Sequence, residues 1–136
     1  MNSNNKTTVR LLIEEALNQG NLIVLDRIVH PNYRYTSSTD QMQGIDALKS
    51  FILGLRSAFP DLKISIVDQI EEETKVCTRI SITGTHLGDF LDIPPTGKKI
   101  TVQGIVISRL ENGLIVEEWE LLDQLMLLQQ LEIAPV

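Results

Sequence analysis

Four carboxylates crowd the stretch VEEWELLD, residues 116–123, and their spacing is the first sign of chemistry in this chain. In an extended strand, side chains alternate between faces. Glu118 and Glu120 therefore share one face with Val116 and Leu122, while Glu117, Trp119, Leu121 and Asp123 share the other. If the first face borders a cavity, burial and like-charge proximity raise at least one carboxyl pKa, the state a general acid or base working near neutrality requires. An acidic strand edge that discourages aggregation explains the same letters without chemistry. Trp119, the only tryptophan, suits core or subunit-interface packing on the opposite face.

Other polar residues fall into weaker patterns. Tyr33 and Tyr35 share parity in an extended run after Pro31, so both hydroxyls can reach one pocket, although ordinary packing of tyrosines fits as well. His30 precedes a proline and is expected to end a helix, its ring capping carbonyls. His86 closes the strand-like TGTH and is followed by Gly88, Asp89 and Asp92. Neither histidine belongs to a spaced ligand cluster, so no metal site is expected. His86 is read as a neutral ring that holds the following loop, with a place in the pocket as the second reading. Cys77, the single cysteine, lies in an alternating segment with no partner nearby and is expected to be a buried strand residue.

Bulk properties narrow the field. With 136 residues, 15.3 kDa and 43% hydrophobic residues, the chain suits one domain over residues 1–136. A net charge of -6 and a pI near 4.8 disfavour nucleic-acid and anionic-membrane binding, which need clustered Lys and Arg, and leave small molecules or protein partners. The polar start lacks the apolar core of a signal peptide and no run approaches a membrane span, so a cytoplasmic location is expected. No GxSxG elbow, glycine-rich phosphate loop or dinucleotide fingerprint occurs, which leaves serine hydrolase, ATP and NAD chemistry without support.

The elements that must position these residues follow from periodicity. Val9, Leu12, Ile13, Ala16 and Leu17 form one helical stripe and predict a helix over residues 7–19. A short second helix carries Leu22, Leu25, Ile28 and Val29 inward, with Asn21 as its cap and Pro31 preventing its continuation. Gly44 opens a third, in which Ile45, Leu48, Ile52, Leu55 and Phe59 repeat at three- and four-residue steps, with Pro60 at its exit. The period then changes to two: about four antiparallel strands follow, the last two joined by an Asn112-Gly113 hairpin. A short terminal helix presents Leu125, Leu128 and Leu131 on one side. This order describes an α+β domain whose bent sheet wraps helices and leaves a cavity.

The segments FPDLKISI and GTHLGDFLDIPPTGKKITVQGIVISRLENGLIVEEWELLDQLMLLQQL together resemble the SnoaL-like polyketide cyclase or ester-cyclase family of the nuclear-transport-factor-two-like superfamily. The most specific matches are G-T-H-x-G-x-F, I-P-P-T-G and the strand G-x-I-x-E-x-W-x-x-x-D. The resemblance implies a cone-like curved antiparallel sheet of four to six strands packed on three N-terminal helices. It also implies homo-oligomers associating through the outer sheet face, and cofactor-free intramolecular aldol ring closure driven by one carboxylate. That carboxylate falls on Glu120, where the cyclases have aspartate. A histidine that assists them falls on Val106, which transfers no proton. Glu118 then tunes Glu120, and Tyr33, Tyr35, Phe59, His86 and Val106 are the substrate-binding candidates. Asp123 is read as the cap of the terminal helix. Two functions follow: an acid-base cyclase or isomerase acting on an apolar carbonyl compound, or a non-catalytic small-molecule binding or oligomerisation module on the same scaffold.

Overall fold

A computed structural model of the chain describes residues 4–133; the first and last three positions, including the start of the polar run read above, lie outside the described residues. Helix α1 (Asn5–Leu11) continues into a wider π-helical stretch, Leu12–Leu17. Where an uninterrupted α-helix was predicted, the wider turn still buries Leu12, Ile13 and Ala16. Asn18 then ties this helix to the sheet: its amide bonds both the carbonyl and the N–H of Ile64, at 2.9 and 2.7 Å.

The second helix is shorter than expected. A single 3-10 turn (Leu22–Val24) leads into α2 (Leu25–Ile28), and Asn21 makes no side-chain cap bond. Strand β1 (Val29–Ser37) begins at once, so His30 lies in a strand rather than at a helix end, its Nδ1 accepting the Asn32 N–H at 2.9 Å. After β2 (Gln41–Gln43) comes α3 (Ile45–Ala58), capped at its start by Gly44. Strands β3 (Lys63–Glu72), β4 (Lys75–Thr85), β5 (Lys99–Glu111) and β6 (Leu114–Leu122) and helix α4 (Gln124–Gln130) complete the order.

The sheet is six-stranded, curved and unclosed, in the order β2-β1-β6-β5-β4-β3. All neighbours are antiparallel except β1 and β6, which run parallel, a pairing the expectation of a purely antiparallel sheet did not contain. Along β5 the burial alternates strictly: Ile100, Val102, Val106 and Leu110 enter the core, while Thr101, Gln103, Ile105 and Ile107 face outward. The inner face packs against α1, the π-helical stretch and α3, giving the α+β architecture read from the sequence.

Two side-chain details differ from expectation. In α4 the buried residue is Leu127, and Leu131 is buried at its C-cap, while Leu125 is exposed; Asp123 caps the helix by accepting the Met126 N–H at 3.0 Å. Cys77 is half-buried on the outer face, in register with Ile107, rather than in the core.

Candidate active site

The parallel β1–β6 pairing creates the site. Tyr35 stands opposite Glu118 in the register, yet its side chain slants along the strand and donates its hydroxyl to Glu120 Oε1. Tyr33, earlier on the same face of β1, donates to Glu118 Oε1 at 2.7 Å. Two tyrosine–glutamate pairs therefore lie side by side, an arrangement that depends on residue parity in two strands more than 80 positions apart. On the outer face, Glu117 is bound by Arg34 at 2.9 Å and by Arg109 at 3.0 Å. The three glutamates of EEWE thus divide into one outward ion-pair member and two inward acids.

The two inward acids are not equivalent. Glu118 is buried and both its oxygens accept hydrogen bonds, Oε2 from Ser108 Oγ at 2.6 Å. Burial pushes its carboxyl up to about 7, against the pull of the Ser108 and Tyr33 bonds, and the neighbouring Glu120 charge pushes it further the same way. Glu120 is half-buried nearer the mouth, with Tyr35 on Oε1. Desolvation raises its pKa as well, opposed by the Tyr35 bond. Both tyrosine hydroxyls are pushed upward, first by burial and then by the carboxylates beside them. They therefore remain protonated donors throughout the neutral range. One fixed acid and one partly free acid, both titrating above ordinary carboxylates, can take a proton from carbon or return it to oxygen.

These groups form one wall of a cavity of about 380 Å³. Its other walls are apolar, including Val9, Leu12 and Ile13 from the first helix, Leu48 from α3, and Ile80 and Val102 from the sheet. The mouth is shaped by residues 37–40 on one side, by Asp89, Phe90 and Leu91 on another, and by Leu122 and Gln124. Of the residues singled out from sequence, Tyr33, Tyr35, Phe59, Val106, Glu118 and Glu120 line this cavity together. Val106 is directly across the ladder from Glu120.

His86 stands apart. It is fully buried behind the cavity wall, its ring 5.5 Å from Phe59 and 6.5 Å from Phe90, centroid to centroid. Its Nδ1 accepts the Thr96 N–H at 3.3 Å and meets the Thr96 hydroxyl at 3.0 Å. Its backbone pairs with Gly97 and Lys98. It thus fastens the two ends of the loop whose middle edges the mouth. Gly84 makes room for the Phe59 side chain, since a Cβ there would lie 3.1 Å from its Cβ and 3.2 Å from its Cδ1. Trp119 is on the outer face, partly exposed, with Lys75 Nζ 6.0 Å from its ring centre. Sequence reasoning missed Ser108 and the mouth residues 37–40. Among the described residues no group of three or more His, Cys, Asp or Glu is arranged to hold a metal ion. No helix among them is long and apolar enough to cross a membrane.

A curved open sheet over helices is the fold of nuclear-transport-factor-two-like proteins, and here its concave face carries paired acids. The SnoaL-like polyketide cyclase family matches residues 7–131, and the chain belongs to that family. It is similar in structure to a protein from Jannaschia sp. CCS1 assigned to the SnoaL-like polyketide cyclases, at 25% identity over 96% of this chain and 93% of that one, with a TM-score of 0.88. IdmH of Streptomyces antibioticus, assigned as a polyketide cyclase, is 25% identical over 96% of this chain and 100% of its own, with a TM-score of 0.83. AclR of Streptomyces galilaeus, assigned as a hydroxylase, is 27% identical over 96% and 97%, with a TM-score of 0.82. No curated protein matches the sequence.

Proposed function

We propose that this protein is a cofactor-independent acid-base enzyme of the cyclase or isomerase type, acting on an apolar carbonyl compound in the cavity. Glu120 takes a proton from the carbon beside a carbonyl, leaving an enolate. In a ring closure that carbon attacks a second carbonyl of the same molecule, and the resulting alkoxide recovers the proton from Glu120. The observation that carries this reading is the inequality of the two acids: Glu118 has both oxygens occupied, whereas Glu120 has Tyr35 on one oxygen and faces the cavity mouth. Glu118, its own carboxyl raised by burial and by the Glu120 charge, stays bound to Ser108 and Tyr33 and touches no reacting atom.

The test is proton exchange. A small aromatic ketone incubated with the protein in D2O should acquire deuterium at its α-carbon, followed by NMR. Glu120→Gln should slow that exchange by about 100-fold or more, the usual contribution of a positioned acid-base group. Exchange unchanged by the substitution would refute the assignment.

Val106 favours a second reading. It faces Glu120 across the ladder at the position where the resemblance implies a proton-carrying histidine, which suits a binding module that performs no chemistry. Saturable binding of a ligand that is recovered unchanged after long incubation would support that reading. In either case, the exposed Ile105, Ile107, Trp119 and Leu121 on the outer sheet face support a homodimer through that face. Ile107→Glu should convert the dimer to monomer in light scattering coupled to size-exclusion chromatography; a wild-type monomer at high concentration would refute this.

A further inference from the structure

The charge of the cavity has a consequence for what can enter it. Every ionisable group that lines it is an acid or a phenol: Tyr33, Tyr35, Glu118 and Glu120 along the wall, and Asp40 and Asp89, both exposed, at the mouth. Among the described residues no Lys, Arg or His lines it. Of the cations on its elements, Lys63, Arg79 and Lys99 are exposed and line no part of it, and others are engaged elsewhere. Arg34 and Arg109 hold Glu117 on the outer face, Lys98 pairs with Glu132, and Arg56 donates to the Leu17 and Asn18 carbonyls.

The wall's two phenol donors, and the Ser108 hydroxyl buried behind them, are also committed. Tyr33 and Ser108 donate to Glu118, and Tyr35 donates to Glu120. At the mouth, Ser37 Oγ donates toward the Asp40 carbonyl at 3.5 Å, and the side-chain donors still open to a ligand, Ser38 and Gln124, lie at that rim and not along the wall. A carboxylate or phosphate inside would therefore give up its water, meet an apolar body, and find its hydrogen-bonding edge occupied by other acceptors. An uncharged carbonyl compound avoids that cost, and an ammonium group would find the unoccupied oxygen of Glu120 to pair with.

We propose that the cavity selects its ligands by the sign of their charge, accepting uncharged and cationic ring compounds and refusing anionic ones. This rests on the cavity being a ligand site, and it names the substrate class within that reading: a neutral or amine-bearing carbonyl compound with no ionised acid.

Three ring probes of similar size separate the possibilities: 2-acetylnaphthalene, 2-naphthylmethylammonium and 2-naphthoate, titrated calorimetrically into the wild-type protein at pH 7.5. The ketone and the ammonium should bind, and the carboxylate should bind at least about 30-fold more weakly than the ketone, the cost of burying an unpaired carboxylate. Glu120→Gln should weaken the ammonium probe more than the ketone. A carboxylate that binds as tightly as the ketone overturns the proposal. So does an ammonium as weak as the carboxylate, since the filter would then reject charge of either sign. Failure of all three probes to bind would instead refute the cavity as a ligand site, and the enzyme reading with it.

Discussion

Ser108 stands opposite Glu118 across the β5–β6 ladder, and its hydroxyl donates to Glu118 Oε2 at 2.6 Å. That bond is the larger of the two hydrogen bonds that restrain the carboxyl's rise toward about 7. Ser108→Ala should therefore move Glu118 further upward, seen as a later titration of its carboxyl carbon by NMR. It should also cost about 1–3 kcal/mol in urea unfolding where Glu118 is ionised, the penalty for a buried acceptor left without a donor. A titration that moves downward would mean that Ser108 is not the donor.

Glu118 also links folding to pH. Its carboxyl rises from an ordinary 4.5 to about 7, so the folded chain holds a proton there that the unfolded chain has released. The associated stability is complete below pH 4.5 and is lost as pH rises through about 7, a change on the order of 3 kcal/mol. Glu120 shifts in the same direction and adds to it. Wild-type protein should be more stable to urea at pH 5 than at pH 8. Glu118→Gln, which keeps an oxygen for one donor and carries no charge, should shrink that difference. Equal wild-type stability at both pH values would contradict the buried-acid description.

Tyr35→Phe isolates the other acid. The Tyr35 bond opposes the upward shift of Glu120, so its removal should raise the Glu120 pKa. A base with a raised pKa is protonated over more of the neutral range. The acidic limb of the pH profile for α-proton exchange should then move to higher pH, with lower rates at pH 7. Tyr33→Phe, which acts on Glu118, should move that limb less. An identical response to both substitutions would remove the distinction between the two acids.

What sequence made legible was governed by local periodicity. Parity alone separated Glu118 and Glu120 from Glu117 and Trp119, and Asn112-Gly113 marked the hairpin, whose two turn residues have φ of 51° and 80°. Register was less accessible. Counting outward from that turn pairs Ser108 with Glu117, but the ladder shifts between Arg109 and Leu110, skips Val116, and brings Ser108 to Glu118 and Val106 to Glu120. A one-residue bulge has no distinctive letter, so Ser108 could not be named. The parallel β1–β6 contact was equally hidden, since it joins segments more than 80 residues apart and rests on tertiary closure. His30 was misplaced because Pro31, read as a helix stop, sits inside a strand that begins at Val29.

The glycines offer a final pair of opposed outcomes. Gly54 lies inside α3 at the cavity edge, and a Cβ there would meet nothing within 4 Å. Gly54→Ala should therefore stabilise the fold by about 1 kcal/mol through helix propensity alone, raising the melting temperature by a few degrees. Gly88 is tightly enclosed: a Cβ would lie 2.4 Å from the Ser57 carbonyl oxygen, and the Leu87 and Gly88 N–H groups both bond Ala58 O, at 2.9 and 3.1 Å. Gly88→Ala must push the loop off the end of α3, breaking those bonds at a cost of about 1–3 kcal/mol. Because Asp89, Phe90 and Leu91 edge the mouth, the same shift should weaken 2-acetylnaphthalene binding, whereas Gly54→Ala should leave it nearly unchanged. If Gly88→Ala alters stability without altering affinity, the loop after His86 bounds the cavity without contributing to ligand contact.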